Sequence, residues 1–474
     1  MVSEKFRHQL RKEAKRWQTD GLINEQTYKQ IALRYEFENL DTAASNRFVA
    51  ILLGLGAIFL GLAAITFVAA NWQALSKELK VLLLISIFAI ANISGFYLWK
   101  NPLQGWRSRL GQALLLLGGL TIGANLGLMS QIFHQSGPVY QLFLVWGLAV
   151  VLMAFSLRLT SLGILGIILT IIGYLSGISS LYSSDYFTIF KLAISHLPIL
   201  VSLIFIPLAY WCKSRWIFTL SSLLVIFALP INLLPLGYKF YSISPLFSGL
   251  IYAGITIIPG SLLWAYRDSF WFRSWQGIAN FEKIARNLAI FSLSLAFYLF
   301  SFNSFWRESF SVNISTPKIV WQEWSMLFNL LFFFFLMVLS WWRLGYSFAA
   351  RSPWKIDLNS TLVGTSLAIT ALIIFYQINI NPLGAIATLI FNIFLFVLGI
   401  LAIGNSLKTG TRLGFWWGIT ILTIQILSRM LEYNTGLMLK AIVLFGCGVT
   451  IIYAGIKFEE YLKKQLVKDS SQVL

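Results

Sequence analysis

Five side chains that can bind a ligand lie near the ends of apolar segments in the first third of the chain. Asn71 and Trp72 follow one segment, Gln131 and His134 end another, and Trp146 lies about two turns into the next. Together they offer amide donors and acceptors, one titratable imidazole and two indoles. If the segments are neighbours, these residues form a pocket for a lipid headgroup or a small solute. The alternative is the aromatic belt and the polar helix ends that membrane proteins share.

Other polar residues lie inside apolar segments, where buried amides often form hydrogen bonds between helices. The most suggestive is His196, for which a structural role competes with a part in proton transfer. Arg429 and Glu432, one turn apart, predict a local, exposed ion pair near the end of their segment. The amides of this group are Asn92, Asn125, Asn232, Asn329, Asn392 and Gln425.

The sequence contains no motif for enzymatic chemistry. It lacks a glycine-rich phosphate loop, a nucleophile elbow and a zinc motif, and its three histidines and two cysteines are scattered. No catalytic residue, metal or cofactor is therefore predicted, and an enzyme acting on a lipid-linked substrate is the least favoured class. No apolar segment has Asp or Glu near its middle, which disfavours an antiporter driven by carboxylates. A substrate site made of amides and unwound backbone stays open.

The composition identifies lipid as the solvent of these segments. Hydrophobic residues make up 58% of the 474 and charged residues only 11%, against roughly a quarter in soluble domains. Apolar runs of about twenty residues fit spanning helices, whereas barrels show alternating segments of about ten. The net charge of +18 fits basic cytoplasmic loops better than nucleic-acid binding. The sequence therefore predicts an all-α, polytopic transmembrane helical bundle.

About fourteen spanning helices are predicted from these runs. Two of them lie so close together that they need a tight turn at Arg158. We divide the chain into a hairpin over 1–47, spanning helices 1–4 over 48–157, spanning helices 5–14 over 158–457 and a polar tail over 458–474. The predicted spans are 48–70, 79–99, 110–131, 139–157, 160–181, 193–211, 216–236, 244–265, 285–305, 325–342, 359–377, 383–404, 413–430 and 438–456.

The distribution of charge predicts the orientation of the bundle. With the N-terminus inside, 28 of the 36 Lys and Arg residues lie on cytoplasmic segments or the span ends next to them, and 8 lie on outer segments or the span ends next to those. This bias matches the positive-inside rule. Both termini are therefore predicted to be cytoplasmic, while the oligomeric state stays open.

The first 47 residues predict a short amphipathic helical hairpin. Phe6, Leu10 and Trp17 recur at helical spacing among Lys, Arg and Glu, and Asp20-Gly21 breaks the helix. Asn24 is placed as the N-cap of a second helix. The nine Lys and Arg residues of the hairpin favour anionic lipid headgroups at the cytoplasmic face. The alternative is a solvated segment that serves only to set the topology.

Small residues and prolines predict how the helices pack. Gly119, Gly123 and Gly127 recur at four-residue spacing, which lets a neighbouring helix approach closely. A cluster of prolines in the sixth to eighth spans predicts either breaks that mark a cavity or kinks that neighbouring helices tolerate. These prolines are Pro198, Pro207, Pro230, Pro235 and Pro259.

Three local sequences occur together in the first third of the chain. They are the hairpin sequence 17–23 that leads to Tyr35, the end of the first span at 67–72, and 130–134 followed by Trp146. With these features, residues from about 10 to 157 resemble an uncharacterised bacterial family, domain of unknown function 2157. The resemblance implies a multi-pass protein of the bacterial inner or plasma membrane. It brings no activity with it.

Two functions compete on this reading of the sequence. The first is a protein that binds or transports a small molecule or lipid near the outer ends of spanning helices 1, 3 and 4. The polar cluster and the prolines favour it. The second is a non-transporting scaffold or sensor that acts through its basic hairpin, and the lack of coupling carboxylates favours it. Membrane lipids are the expected partners, with a solute or a headgroup as the ligand and no nucleic acid.

Overall fold

A computed structural model describes residues 4–35, 37, 76–100, 105–181, 188–268, 281–308, 321–345, 357–433 and 436–471, together with separate positions between 52 and 70. Within these ranges all regular structure is helical, which confirms the predicted all-α fold. The chain divides into two compact units, Met1–Ser179 and Ser180–Leu474. Each unit is built around its own helix contacts.

Eleven of the described helices are long and apolar enough to cross a membrane, or twelve if the bent pair around His196 is one span. The predicted span 48–70 lies mostly outside the described residues, although its described positions are helical. The predicted span 413–430 is helical but is not among the apolar set. The count of fourteen and the cytoplasmic termini therefore stay predictions.

The first unit begins with the predicted hairpin, formed by α1 (Glu4–Thr19) and α2 (Glu25–Arg34). Gly21 turns the chain with a left-handed φ of 74°. Asn24 caps α2 as predicted, because its side chain accepts the backbone N–H three residues later at 2.8 Å. The apolar sides of the two helices cover each other. Their shared core comprises Leu10, Ala14, Trp17, Tyr28, Ile31, Ala32, Tyr35 and Phe37.

Four long helices complete the described part of the first unit. They are α3 (Lys77–Lys100), α4 (Gly105–Ile132), α5 (Val139–Leu157) and α6 (Thr160–Gly177). Each packs against the next along the chain. Arg158 joins α5 to α6 in a left-handed conformation with a φ of 54°, which confirms the predicted tight turn.

The second unit contains eleven described α-helices. In the helix α10, 67% of the most apolar 18-residue stretch is buried. This helix contacts α9, α11, α13 and α14, so it forms the centre of the unit. The eleven helices are α7 (Ile189–Ser195), α8 (Leu197–Trp211), α9 (Arg215–Tyr241), α10 (Pro245–Trp264), α11 (Glu282–Phe300), α12 (Asn303–Glu308), α13 (Trp321–Gly345), α14 (Leu358–Asn379), α15 (Gly384–Thr409), α16 (Arg412–Glu432) and α17 (Leu437–Ser471).

Candidate functional site

The pocket predicted in the first unit is described only in part. Gln131 and His134 lie together at the end of α4, where both are exposed and the His134 N–H donates to the Gln131 carbonyl at 3.3 Å. Asn71 and Trp72 lie outside the described residues. A pocket formed by all five residues therefore stays a prediction.

Trp146 lies in the packing contact between α5 and α4. Its indole N–H donates to the Gly119 carbonyl at 2.7 Å. A Cβ atom at Gly123 would lie 2.5 Å from the indole ring, whereas one at Gly127 would meet its nearest neighbour, on Leu142, at 3.8 Å. Close packing therefore depends on glycine at position 123 and does not depend on it at position 127.

The second unit contains a broken helix at the start of the proline cluster. The helices α7 and α8 meet at His196 with a bend of 76°. Pro198 lies in the first turn of α8 and has no N–H to donate to the carbonyl of Ile194 four residues earlier. The break therefore leaves buried carbonyls that need other donors.

Two amides from other helices supply those donors. Asn232 on α9 donates to the carbonyls of Ile194 at 2.9 Å and Ser195 at 3.1 Å. Asn329 on α13 donates to the same Ser195 carbonyl at 3.0 Å. Both asparagines are almost completely buried, with exposures of 1% and 0%. Side chains from two further helices thus satisfy the carbonyls at the break. Hydrogen bonds between helices are what the sequence predicted for these buried amides.

Two polar atoms at the break, one on Asn329 and one on His196, approach each other without forming a hydrogen bond of normal geometry. The side chain of Asn329 faces the imidazole of His196. Nevertheless, neither Asn329 Oδ1 nor His196 Nδ1 forms a hydrogen bond of normal geometry with any described residue. The other Asn329 contact is a bond from its nitrogen to the Met326 carbonyl at 3.2 Å. One buried acceptor and one buried imidazole nitrogen therefore face each other at the break.

An apolar chamber of about 360 Å³ lies next to this break, between α8, α9, α10 and α13. On α9 its wall extends from Phe218 to Leu229, a distance of roughly 16 Å at 1.5 Å per residue. Pro207 and Pro259 also line it. The proline cluster therefore marks both a helix break and a cavity, which the sequence left as an alternative to simple kinks.

One wall residue of the chamber reaches the surface of the described helices. Leu203 on α8 is part of its wall and is 59% exposed. In an apolar bundle that surface faces hydrocarbon. The Ser202 hydroxyl in the wall donates to the Pro198 carbonyl at 2.8 Å, so it is already engaged by the protein. The wall is thus suited to an apolar chain that arrives from the lipid.

A phenol lies at the other end of the chamber. Tyr266 lines the wall, and its hydroxyl is 2.7 Å from that of Tyr210, which donates in turn to Asp268. The Asp268 carboxylate also accepts the backbone N–H groups of Phe281 and Glu282 at 3.0 and 3.1 Å. Burial raises the pKa of Tyr266 above its usual range, so the hydroxyl stays neutral.

A separate ion pair at the end of α16 differs from the prediction. The side chains of Arg429 and Glu432 are only 16% and 14% exposed. Arg429 also donates to the carbonyl of Ser301 and lies 4.1 Å from the centroid of the Phe302 ring, and Glu432 accepts the N–H of Asn303 at 2.6 Å. The predicted ion pair is confirmed, but its predicted exposure is wrong. The end of α11 lies beside the pair, and backbone groups there form hydrogen bonds with both side chains.

Sequence reasoning missed Ser195, Tyr210, Tyr266 and Asp268. The first contributes through its carbonyl, which no side-chain pattern reveals. Asp268 lies 58 residues from Tyr210, and a single carboxylate beside a loop is ordinary. Pro198 directly after His196-Leu197 was the one available signal, because proline in a first turn indicates that a new helix starts there.

The similarity of this chain to a known family lies within the first unit. Residues 15–163 match the model of a family described as predicted membrane protein (DUF2157), which confirms the resemblance seen in the sequence. No curated protein and no solved structure matches the chain. The match and the many apolar helices make this a membrane protein. The broken helix and the chamber lie beyond the matched residues, so their interpretation rests on their own geometry.

Proposed function

We propose that this multi-pass membrane protein binds a lipid-like molecule in the chamber of its second unit. The observation that carries the proposal is an apolar chamber with one wall residue, Leu203, exposed on the bundle surface. A phenol lies at one end of the chamber, and the helix break lies about one turn beyond the other end. A ligand with a long apolar chain and a small polar end matches that arrangement. A chamber of this volume is within the range of known ligand sites.

A soluble polar solute fits the chamber less well. Ser202 is already bonded within the protein, and the remaining polar wall residues are Ser222 and Tyr266. Burying a polar ligand without hydrogen-bond partners costs free energy, whereas burying an acyl chain costs none of that kind. The spans also lack central carboxylates that would couple uptake to an ion gradient. Exchange of the ligand with the surrounding bilayer is therefore the proposed mode of action.

The test uses a lipid that carries a photoreactive diazirine on its acyl chain. The full chain is purified in a lipid nanodisc, irradiated and digested, and the labelled peptides are identified by mass spectrometry. We expect labelling of α8, α9 and α13 at the chamber wall. Leu262→Trp fills the chamber from α10, because Leu262 is part of the wall. It should reduce that labelling at least about fivefold, as overpacking by an indole costs roughly 1–3 kcal/mol.

The matched control is Leu250→Trp on the same helix. Leu250 is 50% exposed and is not part of the chamber wall, so this variant should label like the unchanged protein. Equal labelling of the two variants, or labelling spread evenly over lipid-facing helices, would refute the proposal.

A second candidate function comes from the hairpin. Eight of its apolar residues form its own core, and basic residues such as Lys15 and Arg16 are exposed. This arrangement favours a binding surface for anionic lipids or an acidic partner, with the bundle as its anchor. Deleting residues 1–40 should abolish binding to anionic vesicles while leaving chamber labelling unchanged. Retained vesicle binding would remove this candidate.

A further inference from the structure

The polar groups at the helix break lie on the same helix faces as the chamber wall. On α13, Asn329 precedes the wall residue Phe333 by four positions, and both are buried. On α9, Asn232 follows the buried wall residue Leu229 by three positions. Residues three or four apart share one face of a helix. The amides therefore lie about one turn beyond the chamber and face the same interior.

The hydrogen bonds at the break leave one amide oxygen and one imidazole nitrogen without a well-formed bond among the described residues. The nitrogen atoms of Asn232 and Asn329 are engaged by backbone carbonyls. Asn329 Oδ1 and His196 Nδ1 are buried and lack a well-formed bond to any described residue. Since the imidazole nitrogen can donate while the amide oxygen accepts, the pair can bind one group that both donates and accepts.

A hydroxyl group has that property. The hydroxyl group donates its hydrogen to Asn329 Oδ1. Its oxygen accepts a hydrogen bond from the N–H at His196 Nδ1, which is present in one tautomer of the neutral imidazole. An anionic phosphate has acceptors only and needs cationic partners. The side chains that hold the break together are neutral amides. The buried Lys191 on α7 is a cation close to the break along the chain, although it has other interactions. A phosphate headgroup is therefore the alternative to test.

We infer that His196 and Asn329 form a headgroup site for an uncharged hydroxyl, so that the ligand class is a long-chain alcohol or an acylglycerol. This inference rests on the proposed function of the chamber. It assigns the polar end of the ligand to the helix break and its chain to the space between α8, α9, α10 and α13.

The experiment compares three photoreactive probes with the same chain. One ends in a hydroxyl, one in a phosphate and one in a methyl group. Apparent affinities are measured from the labelling of the chamber wall against probe concentration. One hydroxyl bound by two protein groups should favour the alcohol over the methyl probe by roughly 3- to 10-fold, and the phosphate probe should bind no better than the methyl probe.

Two variants at one position separate the hydrogen bond from the fold. His196→Phe keeps a ring and removes the nitrogen, so the alcohol and methyl probes should bind equally. His196→Asn places a polar atom near the position of Nδ1 and should retain the preference for the alcohol. Preferred binding of the phosphate probe, or an unchanged preference in His196→Phe, would overturn the headgroup assignment while the chamber proposal stands. If none of the three probes labels the chamber, both proposals fall.

Discussion

The contact between α4 and α5 depends on the absence of a side chain at Gly123. A methyl group there would lie 2.5 Å from three atoms of the Trp146 ring, well inside van der Waals contact. The indole is held by its 2.7 Å bond to the Gly119 carbonyl. It therefore cannot move away without losing that bond, and Gly123→Ala should destabilise the first unit.

The expected loss follows from three contributions. Overpacking costs about 1–3 kcal/mol, and separating the indole N–H from its carbonyl costs about 1–3 kcal/mol if the groups stay buried. Replacing glycine by alanine within a helix returns about 1 kcal/mol. The net destabilisation is about 1–5 kcal/mol. At Gly127, where the added methyl meets only Leu142 at 3.8 Å, the helix contribution remains alone, so Gly127→Ala should stabilise by up to about 1 kcal/mol.

The assay is the thermal midpoint of the full-length protein in mild detergent, read as the fraction that stays monodisperse after heating. Gly123→Ala should lower the midpoint, and Gly127→Ala should leave it unchanged or raise it. In a Trp146→Leu background, the loss caused by Gly123→Ala should shrink, because the ring that clashes is gone. If Gly123→Ala is as stable as Gly127→Ala, Trp146 does not occupy the glycine face and the packing argument fails.

Two further predictions concern the second unit and use the same thermal assay. Tyr210→Phe removes the hydroxyl that bonds Tyr266 and Asp268 and should cost about 1–3 kcal/mol of stability. The control Tyr376→Phe, at a residue 37% exposed, should change stability by less than about 0.5 kcal/mol. Similar midpoints for the two variants would contradict a structural role for the Tyr210 network. Arg429→Met leaves Glu432 without its partner in a pair that is mostly buried and should lower the midpoint clearly. Arg286→Met breaks an exposed pair and should cost at most about 1 kcal/mol, so equal effects would show that burial of the Arg429 pair has no energetic consequence.

Local features of the chain were predictable because neighbouring residues determine them. The cap at Asn24, the turn at Gly21 and the tight connection at Arg158 each involve only a few consecutive positions. Apolar runs of spanning length likewise predict helices in lipid, since the backbone there must satisfy its own hydrogen bonds. The resemblance over the first third of the chain also rested on short local sequences, and the family match confirms it.

Residues that act together across helices were not predictable in the same way. Whether Trp146 faces a ligand or the Gly119–Gly123 face depends on how α5 rotates against α4. The ion pair of Arg429 was expected to be exposed, yet the end of α11 lies against it. In each case the residue types were read correctly, while their surroundings came from helices far away in the chain.

The sequence by itself determined that the chain forms apolar helices and that the proline cluster disturbs some of them, because both follow from side-chain chemistry and backbone hydrogen bonding along one segment. Only the tertiary structure decided that the break at His196 is filled by amides from α9 and α13 and lies next to a chamber. Those contacts join residues 37 and 134 positions apart. Many pairings of spanning helices are compatible with the same hydrophobic pattern, and only their packing selects which polar atoms meet.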